Sequence, residues 1–134
     1  PGDVLFLKGS LGAGKTTFAR GFIHHLTNTD EEVVSPTFTL VQTYESARGI
    51  IWHFDLYRID EPDDAVELGL EEAQIDGISL IEWPERGEGF LPLADVNISI
   101  EQSGEGRCVT LKAQSEAGVE LVQKLERSGG SFAV

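Results

Sequence analysis

The sequence lacks features that several other classes of protein require. It contains one cysteine, Cys108, and no methionine. A lone cysteine cannot form an internal disulfide, and Cys108 has no Cys or His neighbours at the spacing of a metal site, which suits a reducing cytosol. The absence of methionine indicates that the initiating residue is missing, and we therefore expect a fragment or a processed form.

Basic residues are also scarce, because 10 Lys and Arg stand against 23 Asp and Glu, giving a formal net charge of -13. Nucleic-acid backbones are bound by clustered cationic side chains. We therefore expect this chain alone to bind nucleic acid poorly. The densest acidic run, residues 60–72, is interpreted as a solvated helix face or, alternatively, as a docking surface for a basic partner.

Long apolar runs are absent as well. None approaches the ~20 residues of a membrane-spanning helix, and the first residues lack the basic and then apolar order of a secretion signal. We therefore expect a cytoplasmic protein with no membrane segment. With 134 residues, 40% of them hydrophobic, the chain is long enough for one core. We expect one domain over residues 1–127 and a mobile tail at 128–134.

The apolar residues alternate between strand and helix periodicities. They predict strands at 4–8, 38–44, 50–54 and 78–83, helices at 16–26 and 115–125, and one or two short helices at 62–73 interrupted at Gly69. A turn is predicted at 46–49, an irregular stretch at 84–92, and a C-terminal antiparallel strand pair near 96–100 and 109–111. Interleaved strands and helices indicate an α/β fold.

A glycine-rich segment joins the first strand to the first helix. Gly9, Gly14, Lys15 and Thr16 fill the pattern G-x-x-x-x-G-K-[ST], in which backbone N–H groups surround a phosphate chain. Glycine permits that close approach, and the helix N-terminus adds donors and positive potential. The lysine is expected to neutralise the β and γ phosphates, and the threonine hydroxyl to bind Mg²⁺.

Two predicted strands end in an acid, Asp55 and Glu82. A carboxylate after a buried apolar run is costly unless a cation faces it, so both are candidates to hold Mg²⁺ or to place the attacking water. Each is alternatively a solvated acid at a strand end, and the pattern does not decide which is base and which is metal ligand. Thr37 is a weaker candidate for the γ-phosphate or the metal.

The site candidates are therefore as follows. Those for catalysis are Asp55, Glu82 and Lys15, and those for the metal are Thr16, Asp55 and Glu82. Those for nucleotide contact are Gly9, Leu11, Gly12, Ala13, Gly14, Lys15, Thr16, Thr17, Thr37 and Trp83.

Four motifs stand in order along the chain: GSLGAGKTT at 9–17, SPTFTLV at 35–41, HFDLYR at 53–58 and IEWP at 81–84. Together they resemble the TsaE family, the bacterial ATPases of tRNA threonylcarbamoyladenosine biosynthesis, formerly called the YjeE family. The first motif is shared by many families, whereas HFDLYR followed by EWP is rather specific to this one. The resemblance covers about residues 2–125.

The resemblance implies a P-loop NTPase-like mixed sheet with flanking helices, Mg-ATP hydrolysis, and assembly with the partner proteins TsaB and TsaD, which modify adenosine 37 of tRNA. It makes Lys15 and Thr16 the phosphate and Mg²⁺ groups, Thr37 the switch-loop threonine, Asp55 a catalytic or metal-side acid, and Glu82 a metal-side acid beside Trp83. Family members normally begin further upstream, with a helix and a strand that help to build the nucleotide site. We expect that segment to be missing here.

The residues themselves leave three functions open. The guanine signatures Asn-Lys-x-Asp and Asp-x-x-Gly are absent, which favours ATP. The first function is an ATPase that resets a tRNA-modifying complex, slow alone because no complete charge-stabilising set is visible in the chain. A small-molecule kinase would need an arginine-rich lid, and the stretch after Trp83 holds only Arg86. A nucleotide-gated binding module would use ATP to order residues 35–45 for a partner.

Two arginines and one histidine complete the predictions. Arg58 and Arg86 either stabilise charge at the transferring phosphoryl group or pair with neighbouring acids. His53 alternates into a strand face and is expected to be structural.

Overall fold

The computed structural model describes residues 3–9, 15–27, 40–46, 49–103 and 106–127. Its strands are β1 (Val4–Lys8), β2 (Val41–Ser46), β3 (Gly49–Asp55), β4 (Gly77–Glu82), β5 (Val96–Ser103) and β6 (Gly106–Ala113). Within the described ranges these strands form one six-stranded sheet in the order β2-β3-β4-β1-β5-β6. The central four, β3-β4-β1-β5, are parallel, and each edge strand is antiparallel to its neighbour. The predicted mixed α/β fold is confirmed.

One face of the sheet is covered by two long helices, α1 (Lys15–Thr27) and α3 (Glu116–Arg127). Phe18, Ala19 and Phe22 of α1 are buried against Leu5 and Leu7 of β1 and against apolar residues of β4 and β5. Residues from α3 and β6 extend the same core: Val109, Leu111, Leu121 and Val122. This packing anchors the start of α1 directly beside the end of β1.

The opposite face is covered by a 3₁₀ helix, Pro62–Leu68, and by α2 (Leu70–Asp76). These two elements pack with Phe54 and Ile81 in a second core that includes the half-buried Trp52. Gly69, which joins them, has a φ of 101°, and a Cβ there would lie 2.9 Å from Cζ3 of Trp52. Conformation and crowding both require glycine at this position, so the predicted interruption of the 62–73 helix is confirmed.

The amino ends of β1 and β5 are joined by Asp95. Its Oδ2 accepts the N–H of Val4 at 2.8 Å, and its Oδ1 accepts the hydroxyl of Ser115 at 2.6 Å. Ser115 Oγ in turn accepts the N–H of Gly118 at 3.0 Å, so its hydroxyl caps the amino end of α3. A Cβ on Gly118 would overlap the carbonyl oxygen of Asp95. One carboxylate thus ties two strands and a helix together.

The structure changes several predicted boundaries. The strand predicted over 78–83 ends at Glu82, because Trp83 has a left-handed backbone with φ 58°. β2 begins at Val41 rather than residue 38, because Leu40 has φ 70°; residues 38 and 39 lie outside the described ranges. At the ends of the turn predicted at 46–49, Ser46 and Gly49 pair with each other as parts of β2 and β3, and residues 47 and 48 lie outside the described ranges.

Two further differences concern the second half of the chain. The stretch predicted to be irregular at 84–92 opens with a short 3₁₀ helix, Pro84–Gly87. β5 and β6 are antiparallel to each other as predicted, but β5 is parallel to β1 on its other side.

Among the described residues, no helix is both long enough and apolar enough to cross a membrane. The tail at 128–134 lies outside the described residues.

Candidate functional site

The carboxyl ends of β1, β3 and β4 meet at one edge of the sheet. The parallel register places Asp55 of β3 beside Glu82 of β4, and Glu82 beside Leu7 of β1. The chain leaves β1 through Gly9 and enters α1 at Lys15. Open α/β sheets bind ligands at the carboxyl ends of their parallel strands, and the predicted site residues that the structure describes lie at this edge.

Lys15 is the first residue of α1, and only 5% of it is exposed. Its Nζ donates to the carbonyl oxygen of Gly9 at 2.7 Å and lies 3.8 Å from the ring centroid of Trp83. Burial lowers the pKa of Lys15 below its ordinary value of 10.5, although the charges of Glu82, Glu85 and Asp55 act in the opposite direction. The ammonium group is therefore poorly solvated, and an anionic ligand would restore stabilisation that water no longer supplies.

The two predicted acids are buried side by side. Asp55 is 4% exposed and Glu82 is 2% exposed. Oδ1 of Asp55 accepts the N–H of Tyr57 at 3.0 Å, and the backbone N–H of Asp55 donates to the carbonyl oxygen of Leu40 at 2.9 Å. These bonds fix the carboxyl end of β3. The alternative of two solvated acids at strand ends does not describe this geometry.

Glu82 has a buried partner that the sequence reasoning did not find. Its Oε2 lies 2.6 Å from Nε2 of His53, which is fully buried. His53 and Asp55 are two residues apart on β3, so their side chains leave the same face of the sheet. The His-x-Asp spacing indicates that the two side chains share a face of β3, but the contact with Glu82 depends on the register between β3 and β4, which the sequence does not give.

Trp83 follows Glu82 in an unusual conformation. Its φ of 58° and ψ of 50° are left-handed, a region that costs a bulky non-glycine residue about 1–3 kcal/mol. The bend carries the indole to Lys15 and to Tyr57, whose ring centroid is 4.8 Å away. Cζ of Arg86 lies 5.2 Å from the Tyr57 ring. Two cations and two aromatic rings thus form a continuous set of contacts beside the acids.

Several predicted site residues lie outside what the structure describes. Residues 11–14, the middle of the glycine-rich segment, and Thr37 belong to undescribed ranges, and the side chain of Thr16 is not described. Thr17 is exposed on α1. The structure therefore brings together Gly9, Lys15, Asp55, Glu82 and Trp83.

The site combines a buried cation with two adjacent carboxylates. Carboxylate oxygens are hard ligands of the kind that Mg²⁺ takes in proteins, usually one or two per ion with phosphate oxygens and water completing the shell. Within the described residues, no three His, Cys, Asp or Glu side chains group as a metal centre. The sheet, the glycine-rich strand–helix junction and the buried lysine define a P-loop NTPase-like fold.

Comparison with known proteins identifies the family. A family model described as "Threonylcarbamoyl adenosine biosynthesis protein TsaE" matches residues 1–109. The chain therefore belongs to the TsaE family, which consists of P-loop ATPase-like proteins of tRNA modification. The resemblance read from the four motifs is confirmed.

Relatives from distant bacteria support the same assignment. The chain is 40% identical over 121 residues to a protein of Rickettsia felis named tRNA threonylcarbamoyladenosine biosynthesis protein TsaE, covering 89% of this chain and 71% of the relative. Proteins with the same name from Haemophilus influenzae and Bacillus subtilis are each 40% identical, over 120 and 129 residues. Those alignments cover 89% and 95% of this chain and 75% and 80% of the relatives.

A solved structure shows the same fold. The crystal structure of Bacillus subtilis YdiB superposes with a TM-score of 0.77 at 35% sequence identity. The match covers 96% of this chain and 79% of YdiB. The fold described above therefore matches that of an experimentally determined structure of similar sequence.

Proposed function

We propose that this protein is a Mg²⁺-dependent ATPase that supports transfer of the threonylcarbamoyl group to adenosine 37 of tRNA, acting in a complex with TsaB and TsaD. The observation that carries the proposal is the buried ammonium of Lys15, set at the glycine-rich junction of β1 and α1 and facing Asp55 and Glu82. Family membership supports the pathway, because its relatives carry that pathway in their names.

Lys15 is the phosphate-binding group in this proposal. Its pKa is lowered by burial, so the charged form gains when phosphate oxygens approach. The contact of Nζ with the Gly9 carbonyl and the Trp83 ring holds the side chain at the junction. The amides of residues 11–14 and the hydroxyl of Thr16 complete the nucleotide site, as the motif predicts. Mg²⁺, when bound, would be held by Thr16 with Asp55 or Glu82 and would neutralise charge on the phosphates.

Asp55 and Glu82 serve the metal and the attacking water. Because the two residues are register partners on adjacent parallel strands, their carboxylates lie on the same side of the sheet edge and can contact the same ligand. With Mg²⁺ and nucleotide bound, one carboxylate would hold the metal, directly or through water, and the other would orient the attacking water. Replacing each acid singly by its amide tests which of the two residues has which role.

In this proposal the isolated chain hydrolyses ATP slowly, and the reason is the placement of its arginine near the site. Transition-state charge on the phosphoryl group is commonly stabilised by an arginine supplied in cis or by a partner. Arg86 lies against the ring of Tyr57, and its side chain is exposed. We propose that partner binding completes the charge-stabilising set, which makes TsaB and TsaD activators of hydrolysis. The proposal also places the protein in the cytoplasm, with residues 1–127 as one catalytic domain.

The proposal is tested by reconstitution. Hydrolysis of ATP is measured with and without Mg²⁺, for the chain alone and after addition of TsaB and TsaD, and threonylcarbamoyladenosine formation is measured on tRNA in parallel. We expect Mg²⁺-dependent phosphate release that rises on addition of the partners, and we expect tRNA modification to require it. Lys8→Ala is the matched control for Lys15→Ala, because Lys8 is an exposed lysine at the end of β1.

Three outcomes would contradict the proposal. Stoichiometric transfer of phosphate to a metabolite rather than to water would indicate a kinase. Full tRNA modification by Asp55→Ala and Glu82→Ala proteins that still bind ATP would indicate a nucleotide-gated binding module. If the chain bound TsaB and TsaD equally well with and without Mg-ATP, and the partners did not change its rate of ATP hydrolysis, the proposed role in that complex would be wrong.

A further inference from the structure

The contact between His53 and Glu82 is the most deeply buried polar pair in the described part of the chain. Nε2 of His53 and Oε2 of Glu82 are 2.6 Å apart, a short distance typical of a hydrogen bond to a charged group. Both residues lie in central parallel strands, β3 and β4, whose register pairs Asp55 with Glu82 and His53 with Leu80. The backbone therefore fixes the relative position of the two side chains.

A histidine is a costly choice for this position. The imidazole is fully buried, close in the sequence to the buried Ile51 and Phe54, and burying a polar group costs free energy unless each polar atom is bonded. Nδ1 of His53 has no hydrogen-bond partner among the described residues. A well-packed apolar residue often stabilises a core as well as a buried polar pair does, so fold stability alone does not explain the histidine.

Hydrogen-bond chemistry assigns the direction of the contact. A carboxylate that serves a metal ion is ionised and only accepts hydrogen bonds, so in that arrangement His53 carries its proton on Nε2 and donates it to Glu82. A carboxylate held through one oxygen can no longer rotate freely about its last bond. The imidazole therefore restrains the plane of the Glu82 carboxylate and, with it, the position of its other oxygen. Residues that orient a metal-side ligand in this way typically change metal affinity or activity by 10–100-fold when replaced.

We propose that His53 is a positioning residue for Glu82: its Nε2–H holds the carboxylate in the orientation that the metal–nucleotide complex requires. This inference rests on the proposed function, because it assumes that Glu82 serves the bound metal. It differs from a packing role in one respect. Positioning depends on a donor at the Nε2 point, whereas packing depends only on filling the volume of the ring.

Three substitutions separate these roles. In His53→Gln the side-chain amide reaches about as far as Nε2, whereas in His53→Asn it reaches only about as far as Nδ1. Asparagine is also smaller than histidine, so His53→Leu is added, because leucine fills a volume similar to that of the ring and carries no donor. Ser79→Ala is the matched control. Ser79 is buried on β4, three residues before Glu82, and its Oγ has no partner among the described residues.

The experiment measures metal binding without turnover. Mn²⁺ binding to each protein is followed by electron paramagnetic resonance in the presence of a non-hydrolysable ATP analogue, and binding of the analogue without metal is measured by calorimetry. We expect His53→Asn and the volume-matched His53→Leu each to weaken Mn²⁺ binding about tenfold or more, while His53→Gln stays within about threefold of the unmodified protein. Ser79→Ala is expected to match the unmodified protein, and metal-free binding of the analogue is expected to be the same in all of these proteins.

Two results would overturn the positioning role. Unchanged Mn²⁺ binding in His53→Leu beside a loss in His53→Asn would show that the filled volume matters and the donor does not. Unchanged Mn²⁺ binding in both variants would show that Glu82 is oriented without His53. Circular dichroism checks that each variant folds, and either of these two variants suffices if the other does not fold.

Failure of the proposed function gives a different result. An unmodified protein that binds neither the analogue nor Mn²⁺ would refute the nucleotide site itself, and the role of His53 with it. Normal binding by the unmodified protein with no difference between the amide variants refutes only the positioning role.

Discussion

The two ends of the parallel strands use their acids in opposite ways, with a half-buried acid at the amino end and two buried acids at the carboxyl end. At the amino end, both oxygens of Asp95 accept hydrogen bonds from neutral donors, the N–H of Val4 and the hydroxyl of Ser115. At the carboxyl end, Asp55 and Glu82 lie beside each other and act electrostatically on the buried ammonium of Lys15. The first arrangement holds three elements of the fold together, and the second concentrates charge.

The difference shows which acid serves stability and which serves function. A carboxylate whose oxygens accept from neutral groups of the fold gains hydrogen bonds that would otherwise be lost to burial. Acids gathered beside a desolvated lysine form an electrostatic arrangement that a charged ligand can use. Substitutions at the amino end are therefore expected to change unfolding, and substitutions at the carboxyl end to change binding and turnover.

The largest expected effect is at the carboxyl end. Glu82→Gln keeps the shape of the side chain but removes its charge, and we expect ATP hydrolysis to fall about a thousandfold, or ~4 kcal/mol in activation free energy. The measurement is single-turnover phosphate release at saturating Mg-ATP. Asp55→Asn in the same assay shows whether the two acids share the work. Wild-type turnover in both amide variants would contradict the assignment of the site.

The next effect is at the amino end. Gly118→Ala introduces a Cβ that overlaps the carbonyl oxygen of Asp95, and we expect the free energy of unfolding to fall by about 3 kcal/mol because the backbone must shift. Urea denaturation measures it, with Glu120→Ala on the exposed side of α3 as the control. Nucleotide affinity of the folded protein is expected to stay unchanged. A stable variant with weakened nucleotide binding would reverse the comparison.

A smaller loss is expected from Asp95→Ala. The change leaves the N–H of Val4 without its acceptor and releases Ser115, which we expect to cost about 2 kcal/mol of unfolding free energy. Asp95→Asn is the matched control, since the amide can still accept from Val4 and can donate to Ser115. Equal losses in the two variants would show that charge, rather than hydrogen bonding, matters at this end.

The smallest effect concerns the pH dependence of stability. The pKa of Lys15 is lowered by burial, so between the folded pKa and 10.5 the unfolded chain binds the proton more tightly than the folded one. The unfolding free energy of the nucleotide-free protein should therefore rise with pH through that window. Lys15→Met should lack this part of the rise, and Lys8→Met should keep it. If the unfolding free energies of Lys15→Met and the unmodified protein changed with pH in parallel, the claim that burial lowers the pKa of Lys15 would be wrong.

Much of the fold was predictable from the sequence because burial follows periodicity. The helix at 16–26 and the strand at 4–8 were predicted within one residue, since apolar side chains recur at the spacing of each element. The break at Gly69 was equally predictable, because only glycine meets its conformation without strain. Apolar periodicity and the conformation of a glycine are local properties, so the sequence near each residue is enough to predict them.

The arrangement of the site needed the structure. The pairing of Asp55 with Glu82 depends on which strands are neighbours and in what register, and neither is encoded locally. The left-handed backbone of Trp83 is set by its surroundings, because a tryptophan does not favour that conformation by itself. His53 was interpreted as structural because a buried histidine looks the same in the sequence whether it packs or holds an acid.

The most direct test of the account is calorimetric titration of the folded protein with ATP in the presence of Mg²⁺, repeated with Lys15→Ala and Lys8→Ala. We expect clear binding by the unmodified protein and by Lys8→Ala, and an affinity at least about 100-fold weaker for Lys15→Ala, since a hydrogen-bonded charge pair with phosphate is lost. Equal affinities for all three proteins, or no binding by the unmodified protein, would contradict the claim that the buried lysine at the β1–α1 junction binds the nucleotide.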